Sequence, residues 1–243
     1  MRVLSTIPYT MLRLFRNYIV LLLLLVMPIL LITLFNFLLS GQVAEDGTPY
    51  SYNNALTMVL VFQLFGGSTV MHFINSDLFT DNRARFFAVP FNKTMYAFSV
   101  LLCGSFFSIL LGIMLMIYTQ FVLGLVWQSW GWMIYLISLM SLLSSIICVI
   151  FTCIVKKFKL AERLSEVYGV GFVVLAGLFF PMPDNAVFNF LGSYGNPLTL
   201  AIGAIEDRGR GNLTEAWFQT NILLAAIVVL FVVMLAVGRR RLR

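Results

Sequence analysis

Long apolar runs separated by short polar segments dominate the chain. A bilayer core about 30 Å thick needs roughly 20 apolar residues in a helix, because lipid cannot satisfy unpaired backbone N–H and C=O groups. Six runs meet or approach this length, and they cover residues 18–39, 55–75, 96–118, 132–155, 167–181 and 217–238. The pattern therefore predicts an all-α integral membrane protein with six transmembrane helices.

The fifth run, residues 167–181, is short for a full crossing and leads into the sequence Phe-Pro-Met-Pro at residues 180–183. Proline lacks a backbone N–H and interrupts a helix. We therefore expect the helix to end there, and we predict that residues 181–215 form an external re-entrant element before the last span. No internal repeat or linker is visible, so residues 1–243 are interpreted as one transmembrane domain.

The residues before the first run have the periodicity of an amphipathic helix. One face carries polar side chains and the other apolar ones, namely Thr10, Arg13, Arg16 and Asn17 against Met11, Leu14, Phe15 and Tyr18. Residues 1–17 are thus predicted to form an interfacial helix on the membrane surface. A signal peptide is disfavoured because residues 18–39 exceed its usual apolar stretch of about 7–15 residues and no clear A-x-A site follows.

Composition agrees with a membrane protein. Hydrophobic residues make up 60% of the chain and charged residues only 11%, against roughly 25% charged in ordinary soluble domains. The net charge of +6 does not indicate nucleic-acid binding, since the basic residues lie between apolar runs and not among polar residues on an exposed face. We expect the protein to lie in the lipid bilayer and not to bind nucleic acid.

The basic residues are distributed unequally between the two predicted sides of the membrane. Only Arg208 and Arg210 fall on one side, and the other fourteen fall on the opposite side. Because cytoplasmic loops are enriched in Lys and Arg, this asymmetry predicts that both termini and residues 76–95 are cytoplasmic. We expect a multi-pass protein of the plasma membrane, in a bacterial cell.

Candidate chemistry is sparse. A P-loop ATPase needs GxxxxGK[ST], and no lysine of this chain follows a glycine. Proton relays and intramembrane proteases need ionisable groups within the spans, where His72, close to Asp77, is the one titratable candidate; we favour a packing or interfacial role for it. The cysteines lie in apolar runs without a CxxC pair, so we expect buried thiols and neither metal nor disulfide.

Small and aromatic residues within the spans allow two interpretations. The fourth run carries Ser138, Ser141, Ser144 and Ser145, and the second carries Gly66, Gly67, Ser68 and Thr69. Close helix packing is favoured over lining a cavity, because small residues let helices approach in lipid. The same preference for packing or lipid contact applies to the phenylalanines, which include Phe62, Phe65, Phe73, Phe172 and Phe179.

Residues 81–93 read DNRARFFAVPFNK. This segment resembles the coupling segment of type-two ABC export permeases, in which a charged start, a hydrophobic pair, an A-x-P turn and a basic residue lead into the third span. It departs from that pattern in lacking the frequent Gly-Thr before the hydrophobic pair, which leaves the register of the short helix open. The resemblance implies that the cytoplasmic segment 76–95 couples to an ATPase through Arg83, Arg85, Phe86, Phe87, Pro90 and Lys93.

A second segment, residues 177–183, reads GLFFPMP and is followed by Pro-Leu-Thr at residues 197–199. It is similar to the G-x-x-F-P break after the fifth span of the same family, followed by short external re-entrant helices. The resemblance implies a re-entrant element that includes Gly177, Phe180, Pro181, Pro183 and Pro197.

Together these features resemble a permease subunit of the ABC-2 type. The resemblance implies a transport subunit without its own ATPase site or cofactor, paired as a homodimer or heterodimer and bound to separate ABC ATPase subunits that hold ATP. Substrates of the family include drugs, peptides, lipids and polysaccharides; spans without charges favour an amphipathic or hydrophobic compound. The alternatives are an ATP-independent membrane immunity or scaffold protein and, less favoured, a membrane-embedded enzyme.

Overall fold

The computed structural model describes residues 7–43, 48–80, 93–127, 129–178 and 185–241. Helices make up 86% of this part of the chain, which contains no β-strand. Val43 and Pro49 form an isolated antiparallel bridge within this part of the chain. The predicted all-α class is therefore confirmed.

Ten α-helices and two π-helical turns follow one another along the described ranges. They are α1 (Ile7–Phe15), α2 (Tyr18–Leu21), a π-turn at Leu22–Val26, α3 (Met27–Leu38), α4 (Tyr50–Ile74), a π-turn at Asn75–Phe79, α5 (Lys93–Phe121), α6 (Trp130–Ile154), α7 (Phe158–Leu175), α8 (Ala186–Ser193), α9 (Pro197–Gly209) and α10 (Leu213–Arg241). Each π-turn continues the neighbouring α-helix without a break.

Four of these helices are long and apolar enough to cross a membrane: Tyr50–Phe79, Lys93–Phe121, Trp130–Ile154 and Leu213–Arg241. They correspond to the second, third, fourth and sixth apolar runs. The apolar helix Leu22–Leu38 is shorter, although α2 extends it back to Tyr18. The predicted count of six spans is therefore not confirmed. Four helices have the length and composition of a membrane span.

The fifth run differs most from its predicted boundaries. Helix α7 begins at Phe158 and ends at Leu175, and its first half carries Glu162 and Glu166. Its end is set by Gly177, which has φ +72°, and whose N–H donates to Val174 O at 2.9 Å. Glycine adopts this left-handed conformation after a helix without steric cost, so the helix ends before the prolines that were expected to break it.

Helix α4 lies between α5 and α6, and small residues set the spacing of these helices. The Gly67 N–H donates to Ser144 Oγ at 3.1 Å, and a Cβ at Gly67 would clash with the Ser144 backbone. The Ser141 hydroxyl donates to the Ser105 carbonyl at 3.0 Å. Close packing of small residues, with short hydrogen bonds between helices, is thus confirmed for these positions.

The two ends of the bundle differ in character. One end is formed by α1, the π-turn at Asn75–Phe79, the start of α5 and the last turn of α10, and we call it the basic end. There the Arg241 guanidinium carbon lies 5.6 Å from the centre of the Phe79 ring. At the opposite end, Trp132 Nε1 donates to the Ala204 carbonyl at 3.1 Å and joins α6 to α9. The three cysteines, Cys103, Cys148 and Cys153, are buried between these ends, as predicted for packing residues.

Candidate functional site

A buried carboxylate organises the basic end. Asp77 lies in the π-turn that ends α4 and is fully buried. Arg13 Nη1 from α1 lies 2.8 Å from each of its two carboxylate oxygens, and the Tyr96 hydroxyl from α5 donates to Oδ2 at 2.8 Å. A buried charge is tolerated when such partners satisfy it. The cluster therefore fixes α1, α4 and α5 to one another.

Local structure explains how Arg13 reaches Asp77. The guanidinium carbon of Arg13 lies 4.5 Å from the centre of the Phe73 ring, so the side chain crosses an aromatic face on its way to the carboxylate. Thr10 and Leu14 turn the same side of α1 toward the core. The polar face predicted for residues 10–17 is thus partly a packed face, because Thr10 is buried and Arg13 pairs inward.

The predicted coupling residues stand next to this cluster in the chain. Lys93 is the first residue of α5 and is half-buried. The other five, Arg83, Arg85, Phe86, Phe87 and Pro90, lie outside the described residues, so their role stays a prediction. Asp77 precedes Arg83 in the chain and Tyr96 follows Lys93, and both are anchored by the same hydrogen-bond cluster.

A cavity of about 470 Å³ lies between the first π-turn, α4 and α7. Its apolar wall is made of Leu23, Leu24, Phe62, Phe65 and Met71. Polar groups also line it, and they are Asn17, Ser68, Thr69, His72, Glu162, Ser165 and Glu166. The cavity therefore combines an aromatic and aliphatic interior with two carboxylates.

Helical spacing brings these side chains to one wall. On α4, positions 62, 65, 69 and 72 recur at intervals of three and four residues and so share one face. On α7, Ser165 and Glu166 follow Glu162 by three and four residues, so these side chains also share one face. The two helices meet where the Phe65 ring packs on Gly169, since a Cβ there would come within 2.6 Å of the ring carbon Cζ.

The residues predicted for the re-entrant element are only partly described. Pro197 opens α9, where the Asn196 carboxamide caps the helix by accepting from the Leu198 N–H at 3.0 Å and donating to the Phe172 carbonyl at 2.8 Å. Asparagine caps and proline in the first turn are typical of helix starts. Gly177 ends α7, whereas Phe180, Pro181 and Pro183 lie outside the described residues.

Sequence reasoning missed several functional candidates. Phe62 and Phe65 were interpreted as packing or lipid-facing residues, yet both line the cavity, as do Ser68 and Thr69. Glu162 and Glu166 were not singled out, although their spacing of four residues in an amphipathic helix was a usable signal. Within the described ranges, no group of three or more His, Cys, Asp or Glu side chains is arranged to hold a metal ion.

A family model described as ABC-2 type transporter matches residues 3–207. The chain belongs to the ABC-2 type transporter family. Members of this family are membrane transport subunits, generally without an ATPase site of their own, and they usually work with an ABC ATPase. No match was found among curated proteins or among solved structures.

The match to the ABC-2 type transporter family begins before α1, ends in the last turn of α9 and does not reach α10. It therefore includes the Arg13–Asp77–Tyr96 cluster and every wall of the cavity.

Proposed function

We propose that this chain is the permease subunit of an ABC exporter, which forms the substrate path and is driven by a separate ATPase subunit. The match to the ABC-2 type transporter family over residues 3–207 carries the proposal. The cavity between α4 and α7 supports it, because a transport path needs a site that a substrate can enter from one side. The substrate class is amphipathic or hydrophobic, in keeping with the apolar wall.

The proposed topology has six spans, with the helix from Tyr18 to Leu38 as the first and α7 as the fifth. Both termini and the basic end then face the cytoplasm of a bacterial cell, and the protein lies in its plasma membrane. The enrichment of Lys and Arg at the basic end supports this orientation. Residues 181–215, which include α8 and α9, form the external re-entrant element.

In this arrangement residues 76–95 carry the movement of the ATPase to the spans. The Arg13–Asp77–Tyr96 cluster supports that role, since it ties Asp77, at the start of this segment, to α1 and to Tyr96, which directly follows its end. Two permeases, identical or related, pair with two ATPase subunits. The alternative of an ATP-independent immunity or scaffold protein has no support from the family match.

The proposal is tested by expressing the chain with each ABC ATPase subunit encoded in the same genome and purifying through a tag on the permease. We expect the ATPase to copurify and its hydrolysis of ATP in nanodiscs to depend on the permease. A permease that purifies alone, folded and in the membrane fraction, with no ATPase bound and no change in hydrolysis, would contradict the exporter assignment. A tagged unrelated membrane protein serves as the control for nonspecific capture.

A further inference from the structure

We propose that the cavity between the first π-turn, α4 and α7 binds a cationic amphiphile, that is, a molecule with a positive head and an apolar body. The inference rests on the proposed permease function for its biological meaning, although binding itself needs no ATPase. A volume of about 470 Å³ falls within the range of roughly 300–1,000 Å³ found for small-molecule sites. The charge of the lining and the aromatic wall both indicate the ligand class.

The charge of the lining is negative. Glu162 and Glu166 line the cavity, and no Lys or Arg occurs among its described lining residues. Glu166 is paired at 2.7 Å with Arg163, and both side chains are exposed. The Glu162 carboxylate has no ion pair or hydrogen bond within the described part of the chain. A partly buried carboxylate without a counter-charge favours a positive ligand group.

The aromatic wall suits the same ligand. Phe62 and Phe65 line the cavity from α4, and His72 lines it on the same face. At 1.5 Å of rise per residue, Phe62 and His72 are about 15 Å apart along the helix, which is the length of a small amphiphile. Aromatic faces attract cations, and quaternary ammonium groups in particular. The head can thus lie near the carboxylates and the body between the rings, Leu23 and Leu24.

The test uses two amphiphilic ions with the same alkyl chain and opposite head charge, decyltrimethylammonium and decyl sulfate. The full chain is placed in phosphatidylcholine nanodiscs, and binding is measured by equilibrium dialysis with protein-free nanodiscs subtracted. We expect saturable binding of decyltrimethylammonium and none of decyl sulfate. Equal saturable binding of both ions, or a preference for the anion, would overturn the proposal without any mutation.

Variants locate the site. Glu162→Gln and Glu166→Gln, alone and together, keep the side-chain shape, and the double variant is expected to raise the Kd for decyltrimethylammonium about tenfold. Phe62→Leu keeps an apolar wall and is expected to weaken binding about threefold. The control Glu215→Gln removes the same charge at the exposed start of α10 and should leave the Kd unchanged. A double variant with a normal elution profile and an unaltered Kd would refute the assignment.

The outcome is separable from that of the exporter proposal. Discrimination between the two ions by a chain that binds no ATPase would leave this inference intact and remove the exporter assignment. A chain that copurifies with its ATPase but does not discriminate between the ions would remove only this inference.

Discussion

Arg13 Nη1 lies 2.8 Å from both carboxylate oxygens of Asp77, although 64 residues separate the two in the chain. Asp77 is completely buried, whereas the Arg13 side chain is 43% exposed. The pair joins the N-terminal helix to the end of α4, and the Tyr96 hydroxyl ties α5 to the same oxygen that Arg13 contacts. The packing of α1, α4 and α5 at the basic end therefore depends on the Asp77 carboxylate.

Removing Arg13 should destabilise the protein more than removing a neighbouring arginine. Arg13→Gln leaves the Asp77 carboxylate buried without a counter-charge, and we expect a loss of about 3 kcal/mol, the low end for such pairs because Arg13 is partly exposed. Tyr96→Phe removes one hydrogen bond to a charged group, at a cost of roughly 1.5–3 kcal/mol. Thermal unfolding in detergent measures both, with the exposed Arg16→Gln as control. Equal losses for Arg13→Gln and Arg16→Gln would contradict the cluster.

Gly67 should not tolerate a methyl group. Its α-carbon faces the Ser144 backbone, and an added Cβ would clash with it, so Gly67→Ala is expected to cost about 1–3 kcal/mol through overpacking. Gly171→Ala is the matched control, because a Cβ there meets nothing within 4 Å. That control should leave stability unchanged or raise it by up to about 1 kcal/mol. The comparison fails if the two variants unfold at the same temperature.

Topology is accessible to cysteine labelling. The native cysteines are buried, so an introduced cysteine provides the signal. We expect a membrane-impermeant maleimide to label Asn212→Cys, in the loop before α10, in intact cells and to label Arg83→Cys only in inverted vesicles. The reverse labelling pattern would show that the bundle has the opposite orientation and that the basic end is not cytoplasmic.

The apolar pair at Phe86 and Phe87 should bind the ATPase. Burial of each ring in a partner is worth about 1.5–3 kcal/mol before ordering costs, so Phe86→Ala with Phe87→Ala is expected to reduce copurification of the ATPase while insertion stays normal. Phe37 and Phe121, which are 77% and 76% exposed, form the matched double alanine control. Unchanged association in the Phe86/Phe87 variant would show that the pair dips into the membrane interface instead.

Apolar length predicted the four long spans because each one is a continuous run, and this criterion fails where a helix is amphipathic. In α7 the buried residues Ala161, Ser165, Gly169 and Val173 recur at intervals of four residues, and the charged residues between them kept its first half out of the predicted span. Periodicity would have recovered that half.

Contacts between residues that are far apart in the chain could not be predicted from local sequence patterns. The sequence placed Asp77 near His72, but neither Arg13 nor Tyr96 carries a local signal that pairs it with Asp77. The cavity likewise depends on α4 and α7 lying side by side, which no spacing within either helix determines. The end of α7 was different, since Gly177 is a recognisable helix terminator.

The π-turn at Asn75–Phe79, closed by a hydrogen bond from the Thr80 N–H to the Asn75 carbonyl at 3.1 Å, acts as one inserted residue in the phase of α4. Regular α-helical winding of the same residues would rotate the end of this helix by about 100° around its axis. Asp77 would then no longer point at both Arg13 and Tyr96. The position of the buried carboxylate thus depends on a single-residue offset in winding, so a one-residue deletion here would be absorbed by loss of the π-turn, with little change of angle.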